Sequence, residues 1–146
     1  MPRKAMLWGL IVLVVLIGIQ FVPVDRSAPP AGADLQQPPA VAAILRRCCF
    51  DCHSNHTRWP WYSHVAPVSW LVAGDVHEAR GKLNFSRWGE LPLAKQGVIA
   101  GYVWHQVSTN AMPLPRYRMI HRDARLSDAD KGVLRAWAES YGPLTP

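Results

Sequence analysis

Cys49-Phe50-Asp51-Cys52-His53 is the stretch from which the rest of the chain is read. Two thiols three positions apart leave one turn of backbone, and each can add to a vinyl group of haem. The next residue, an imidazole, is then set under the iron, so Cys-x-x-Cys-His holds attachment and first ligand in five residues. With three Cys and six His in 146 residues, composition alone would generate the pattern in roughly two or three chains per thousand. A small domain that encloses a large apolar plate needs helices packed around it, and the sequence is read for them.

Two other chemistries use the same residue types. A redox dithiol of Cys49 and Cys52 expects a βαβ setting, whereas the preceding segment is alanine-rich and helical in character. A zinc site from Cys49, Cys52, His53 and His56 has suitable nitrogen and sulfur ligands, but no second Cys or His pair follows downstream.

Residues 5 to 24 carry no charge and run through Leu10-Ile11-Val12-Leu13-Val14-Val15-Leu16. Twenty helical residues match the ~30 Å hydrocarbon core of a bilayer. Arg3 and Lys4 precede the run, so the positive-inside rule puts the N-terminus in the cytoplasm and the chain after Val24 outside it. Ala31-Gly32-Ala33 has the small-x-small form of a cleavage site, but it stands beyond Asp25, Arg26 and a Pro-Pro pair, which favours a retained anchor. Residues 1–24 thus read as an N-terminal membrane anchor, 25–40 as a proline-rich extended spacer and 41–146 as a haem-binding domain. After Ala40 there are thirteen Lys and Arg against eight Asp and Glu, a net charge of +5. That excess suits acidic protein surfaces or anionic lipid headgroups; nucleic acid is excluded as a partner by the expected location.

The fold class expected is all-α, a small cytochrome c-like domain around one covalent haem behind a single transmembrane helix. Apolar positions 41, 44, 45 and 48 predict a short helix leading into the motif. A second helix starts near Pro67, with Val68, Leu71, Val72, Val76 and Ala79 on one face and a stop at Gly81. A third covers about Leu93 to Val107, with Ala100, Val103, Trp104 and Val107 at a 3–4 spacing. Met112-Pro113-Leu114-Pro115 reads as a loop, and Ser127 with Asp130 as the cap of a closing helix. Trp59, Trp61, Tyr62, Trp70 and Trp88 are expected to wall the haem, with Trp59 or Arg58 near a propionate.

The order of these elements resembles a single-haem c-type cytochrome. More specifically, Cys52-His53-Ser54-Asn55, Thr57 to Ser63, Ala66 to Trp70, Leu83 to Ser86, Gln20 to Arg26 and Met112 to Pro115 resemble the bacterial haem-binding domain family of membrane-anchored proteins. The resemblance implies haem c as cofactor, Cys49 and Cys52 as its thioether residues and His53 as the proximal iron ligand. It also implies a single-pass protein of the bacterial inner membrane with its C-terminal domain in the periplasm. The chain departs from the family pattern at Cys48, a thiol beside the motif, and at His77, where Asn is expected.

Met112 lies 59 residues after His53, on a loop before the last helix, the position of a distal methionine ligand. The competing reading makes it a gap-filling apolar residue, with Met119, His105 and His77 as other ligands. Arg116, Arg118, Arg122 and Arg125 next to that loop are a candidate docking patch for an acidic redox partner. The function expected is one-electron transfer rather than catalysis; a haem sensor or peroxidase-like protein is the alternative.

Overall fold

The computed structural model describes residues 3–30 and 32–144. Ala31 of the small-x-small pattern and the extreme ends of the 1–24 and 41–146 segments lie outside the described residues. Every regular element among the described residues is a helix or a helical turn. Seven α-helices follow in order: α1 (Arg3–Gly18), α2 (Pro39–Cys48), α3 (Phe50–His53), α4 (Val68–Lys82), α5 (Leu93–Ser108), α6 (Pro115–Ile120) and α7 (Asp128–Glu139).

The longest apolar element is α1, which continues through a 3-10 turn to Phe21. This span of 19 residues has a mean hydropathy of 2.2, and none of it is buried against the rest of the chain. It is long and apolar enough to cross a membrane.

The core forms where α2, α5 and α7 meet the Phe85–Glu90 turns. Leu45, Phe85, Ala100 and Leu134 are almost inaccessible to solvent, with Val41, Val103, Trp88 and Trp137 beside them. Each helix presents the face its periodicity predicted, Val41, Ile44, Leu45 and Cys48 from α2 and Ala100, Val103 and Val107 from α5. Aromatic rings form its centre: Phe85 stacks between Phe50 and Trp88 at 5.6 and 5.9 Å, and Trp88 meets Trp137 and Tyr141 at 5.7 Å. The α7 cap is the expected one. Ser127 Oγ accepts from Asp130 N at 3.1 Å, and Asp130 accepts from Ser127 N at 2.9 Å. Arg47 reaches the same carboxylate at 2.9 Å, tying α2 to α7.

Two local readings differ from the structure. The loop read at Met112 to Pro115 ends in a helix, because Pro115 takes the first helical position, where its missing N–H costs nothing. The proline-rich segment is extended but does not stand free as a stalk. Leu35 N–H donates to Phe85 O at 3.0 Å and Gly89 N–H to Ala33 O at 2.9 Å. Arg26 donates to Ser63 O, Arg80 to Ser27 O, Asn55 to Pro29 and Pro30 O, and Gln37 to the Tyr141 hydroxyl. Backbone groups unpaired within a segment find partners across the domain, and composition does not reveal such pairing.

The strap needs close approach to do this. A Cβ on Gly89 would stand 2.8 Å from Ala33 Cβ, and one on Gly32 would stand 2.6 Å from Ser86 O. Gly89→Ala is therefore expected to lift the strap at a cost of about 1–3 kcal/mol, the range for forced overpacking. Hydrogen exchange checks this: in the variant the Leu35 amide and the amide of residue 89 should exchange faster, while those within α7 keep their protection.

Candidate haem site

The motif is shaped by its own backbone. At Cys49 the chain leaves α2 and re-enters a helical turn, and Cys49 O accepts the N–H groups of Cys52 and His53 at 3.2 and 2.9 Å. Spacings of three and four along one turn bring Cys49, Cys52 and His53 to neighbouring positions on it. Ser54 closes the turn, its hydroxyl donating to Phe50 O at 2.7 Å and accepting from His56 N. Asn55 then ties the turn to Ser86 and Asn84. The Ser-Asn pair after the histidine is therefore structural, joining the motif to the strap and to the Phe85 turn.

His53 is the best-defined group in the site. Its Nδ1 lies 3.0 Å from Leu83 O, and since a carbonyl only accepts, Nδ1 carries the proton. Burial, set against that hydrogen bond, holds the imidazole below its ordinary pKa. The ring is neutral with its lone pair on Nε2, the tautomer that an iron-ligating histidine needs. Phe85 meets the same ring edge-on at 6.4 Å.

Beside His53 is a cavity of about 190 Å³, whose walls include Cys52, His53, Ala79 and Met112. An apolar cavity of about 210 Å³ adjoins it, walled by Trp59, Tyr62, Val68, Leu71, Val72 and Ile120. The two share Asp51, Cys52, Asp75, Leu114, Arg116 and Tyr117, which makes one slot between α3 and α4 on one side and the Met112 loop and α6 on the other. Together they reach the size range of small-molecule and cofactor sites. A larger groove of about 890 Å³ beside Arg46, Arg47 and Asp123 includes neither His53 nor Met112 in its walls.

Met112 arrives in the slot by way of a turn. Asn110, at φ +59°, adopts the left-handed conformation that asparagine tolerates, and so reverses the chain after α5. Met112 N–H then donates to Gln106 O at 3.0 Å. The structure thus brings Cys52, His53 and Met112 to one cavity. Cys49 packs instead against the helical core, and Cys48 borders the cavity. Burial raises all three thiols, Cys48 and Cys52 to about 11 and Cys49 further, so they stay protonated.

The slot has a polar rim. Tyr117 donates to Asp51 at 2.9 Å; burial and then that carboxylate raise its phenol well above the usual range. Arg58 holds the other oxygen of Asp51 at 3.2 Å, Arg116 pairs with Asp75 at 2.7 Å, and the Tyr62 hydroxyl lies 2.6 Å from His121 Nε2.

Several sequence expectations need correction here. Trp61 and Trp70 are 79% and 39% exposed and do not line the slot, and Trp88 stands behind Phe85. Of the other candidate ligands, Met119 is 74% exposed, His105 is exposed on α5, and His77 borders a different groove. His121 does line the slot, as does Tyr117, which stacks on it at 4.2 Å. Sequence reading gave neither a place in the slot; the i, i+4 spacing of Tyr117 and His121, just after Pro115, was the available signal. Of the arginines read as a docking patch, Arg116 pairs with Asp75, and Arg118 and Arg125 donate to backbone carbonyls. No group of three or more His, Cys, Asp or Glu side chains among the described residues is arranged to hold a metal ion. His56, proposed for zinc, lies 3.2 Å from Asp34 instead.

A family model described as haem-binding domain matches residues 14–140. The chain belongs to the haem-binding domain family. Compared with the curated proteins and with solved structures, it finds no match in either. Haem binding agrees with the residues present: a neutral histidine whose Nδ1 is held by a carbonyl, a methionine in the same cavity, an apolar wall, and rim arginines suited to carboxylates. The match spans nearly all of this haem-binding domain together with the strap and the end of α1, so all three fall within one sequence family.

Proposed function

We propose that the protein is a membrane-anchored c-type cytochrome that carries single electrons at the outer face of a bacterial inner membrane. Cys49 and Cys52 would hold its haem covalently, and His53 and Met112 would ligate the iron. The observation that carries the reading is the commitment of His53 Nδ1 to Leu83 O beside a cavity that also contains Met112. Haem iron supplies the ferric–ferrous couple; the chain supplies everything that tunes it. Leu83 fixes the His53 ring, and its acceptor oxygen makes Nε2 a stronger donor. Val72 and Val76, the covered apolar residues of the α4 wall, keep water from that side of the slot, which limits solvent reorganisation around a changing charge. Met112, softer than histidine, favours the reduced state. Arg58 and Arg116 keep N–H groups beyond those given to Asp51 and Asp75 and offer them to the haem carboxylates. The anchor reading rests on the apolar span from Arg3 to Phe21 and on the two basic residues near its start, and the positive net charge suits an acidic redox partner.

A second reading, a haem sensor or peroxidase-like site with a displaceable distal ligand, draws on the Tyr62–His121 pair in the slot. Such a pair can hold or pass a proton beside a bound small molecule.

Attachment is the decisive test. Made in a host with c-type maturation machinery, the protein is expected to keep its haem through denaturing electrophoresis and acid-acetone extraction. Cys52→Ser should abolish or strongly reduce that retention. Complete extraction of haem from the wild type would refute covalent binding while leaving the family assignment intact.

A further inference from the structure

The end of the apolar helix is fixed to one particular place on the domain. Gln20 donates to Ala66 O at 3.3 Å and accepts from Ala66 N at 3.0 Å, so a single side chain satisfies both backbone groups of that residue. Arg26 donates to the neighbouring Ser63 O at 2.6 Å and lies over the Trp59 ring at 5.9 Å. The segment around Ala66 is a tight succession of turns leading into α4, with Ser69 N–H bonded to Val65 O and Trp70 N–H to Pro67 O. It therefore moves with the domain as one body.

Large apolar side chains flank Ala66 on both sides and face solvent. Trp61 is 79% exposed, Leu71 53%, Val65 45%, Val68 42% and Trp70 39%; Phe21 at the helix end is 81% exposed. These are two of the tryptophans that the haem slot does not use. Between Asp51 and Asp75 the chain has no Asp or Glu, so this stretch itself adds no carboxylate that a bilayer would have to desolvate.

We infer that the face formed by Trp61, Val65, Val68, Trp70 and Leu71 lies in the headgroup layer of the membrane that α1 enters. The inference rests on the anchor reading above. The patch is continuous with the exit of α1, which fixes its occupant as lipid rather than a distant protein. Tryptophan supplies the fitting chemistry, since its ring is apolar and its N–H stays hydrated at the interface. Val68 and Leu71 also line the haem slot, so one edge of that slot is turned toward the lipid surface.

The test uses the full haem-loaded chain in phosphatidylcholine vesicles containing phosphatidylcholine with a diazirine near the headgroup, followed by peptide mapping after photolysis. Label is expected on residues 3–22 and on the peptide spanning 59–71. Trp61→Ser with Trp70→Ser should reduce the second several-fold and leave the first unchanged. Met119→Ser, a control at an exposed apolar residue of α6, should change neither. Label confined to residues 3–22 would overturn the inference while sparing the anchor, as would chain-to-chain crosslinks through 59–71 in place of lipid. Absence of label from residues 3–22 would overturn both the anchor and this inference.

Discussion

Met112→Ala is expected to lower the reduction potential by on the order of 0.1 V, within the ~0.8 V range that axial ligation commands. The direction follows from softness: a thioether stabilises ferrous iron relative to ferric, so its removal favours the oxidised state. The oxidised wild type should show the weak long-wavelength band of sulfur-to-iron charge transfer, and the variant should lack it. With the distal side opened, carbon monoxide should bind the reduced variant and not the reduced wild type. If the wild type itself binds carbon monoxide rapidly, the sensor or peroxidase-like reading replaces the electron carrier. An unchanged spectrum in Met112→Ala with an altered one in His121→Ala would move the distal ligand to His121, the histidine on the far wall of the slot.

Phe85→Ala is expected to cost about 3–5 kcal/mol, the usual range for deleting a buried aromatic ring. The residue is 1% exposed and is stacked on both faces, with Phe50 of the motif turn on one side and Trp88 of the core on the other. For a domain of this size the melting temperature should fall by about 15–20 °C. The loss should not stop at stability. Phe85 also abuts the His53 ring, and its carbonyl receives the strap. Haem incorporation should therefore drop with it, and Phe85→Leu should recover much of both. Thermal denaturation followed by circular dichroism, with the haem absorbance read in parallel, measures the two together.

How much of this was legible depended on whether the signal was local. The cap of α7 was readable because Ser127 and Asp130 complete it within four residues, and the motif was readable for the same reason. The faces of α2 and α5 were visible in periodicity because another helix covers them. On α4 the same periodicity marked Val68, Leu71, Val72, Val76 and Ala79 correctly as one face, yet what lies against it is the haem slot. Periodicity identifies a face that needs cover, not what supplies the cover. Trp59 lines the slot as expected, but Trp61, Trp70 and Trp88 were misjudged because aromatic density does not say which way each ring points; Trp88 turns inward and Trp61 outward. Composition concealed two further features. Prolines at 113 and 115 hid α6, and prolines between 23 and 39 hid a strap whose partners lie far along the sequence.

The strap has a consequence for reach. A free, flexible chain covering residues 22–38 would let its cargo wander roughly 20–25 Å from the point of attachment. Here those residues are bonded along their length to Ser63, Asn55, Phe85 and Tyr141, and almost none of that slack remains. The domain cannot sweep a hemisphere in search of a collision. Whatever it meets, it meets at one height and in one orientation relative to the end of α1; in the proposed membrane-anchored arrangement, encounters become two-dimensional and choice of partner becomes a matter of stature as well as charge.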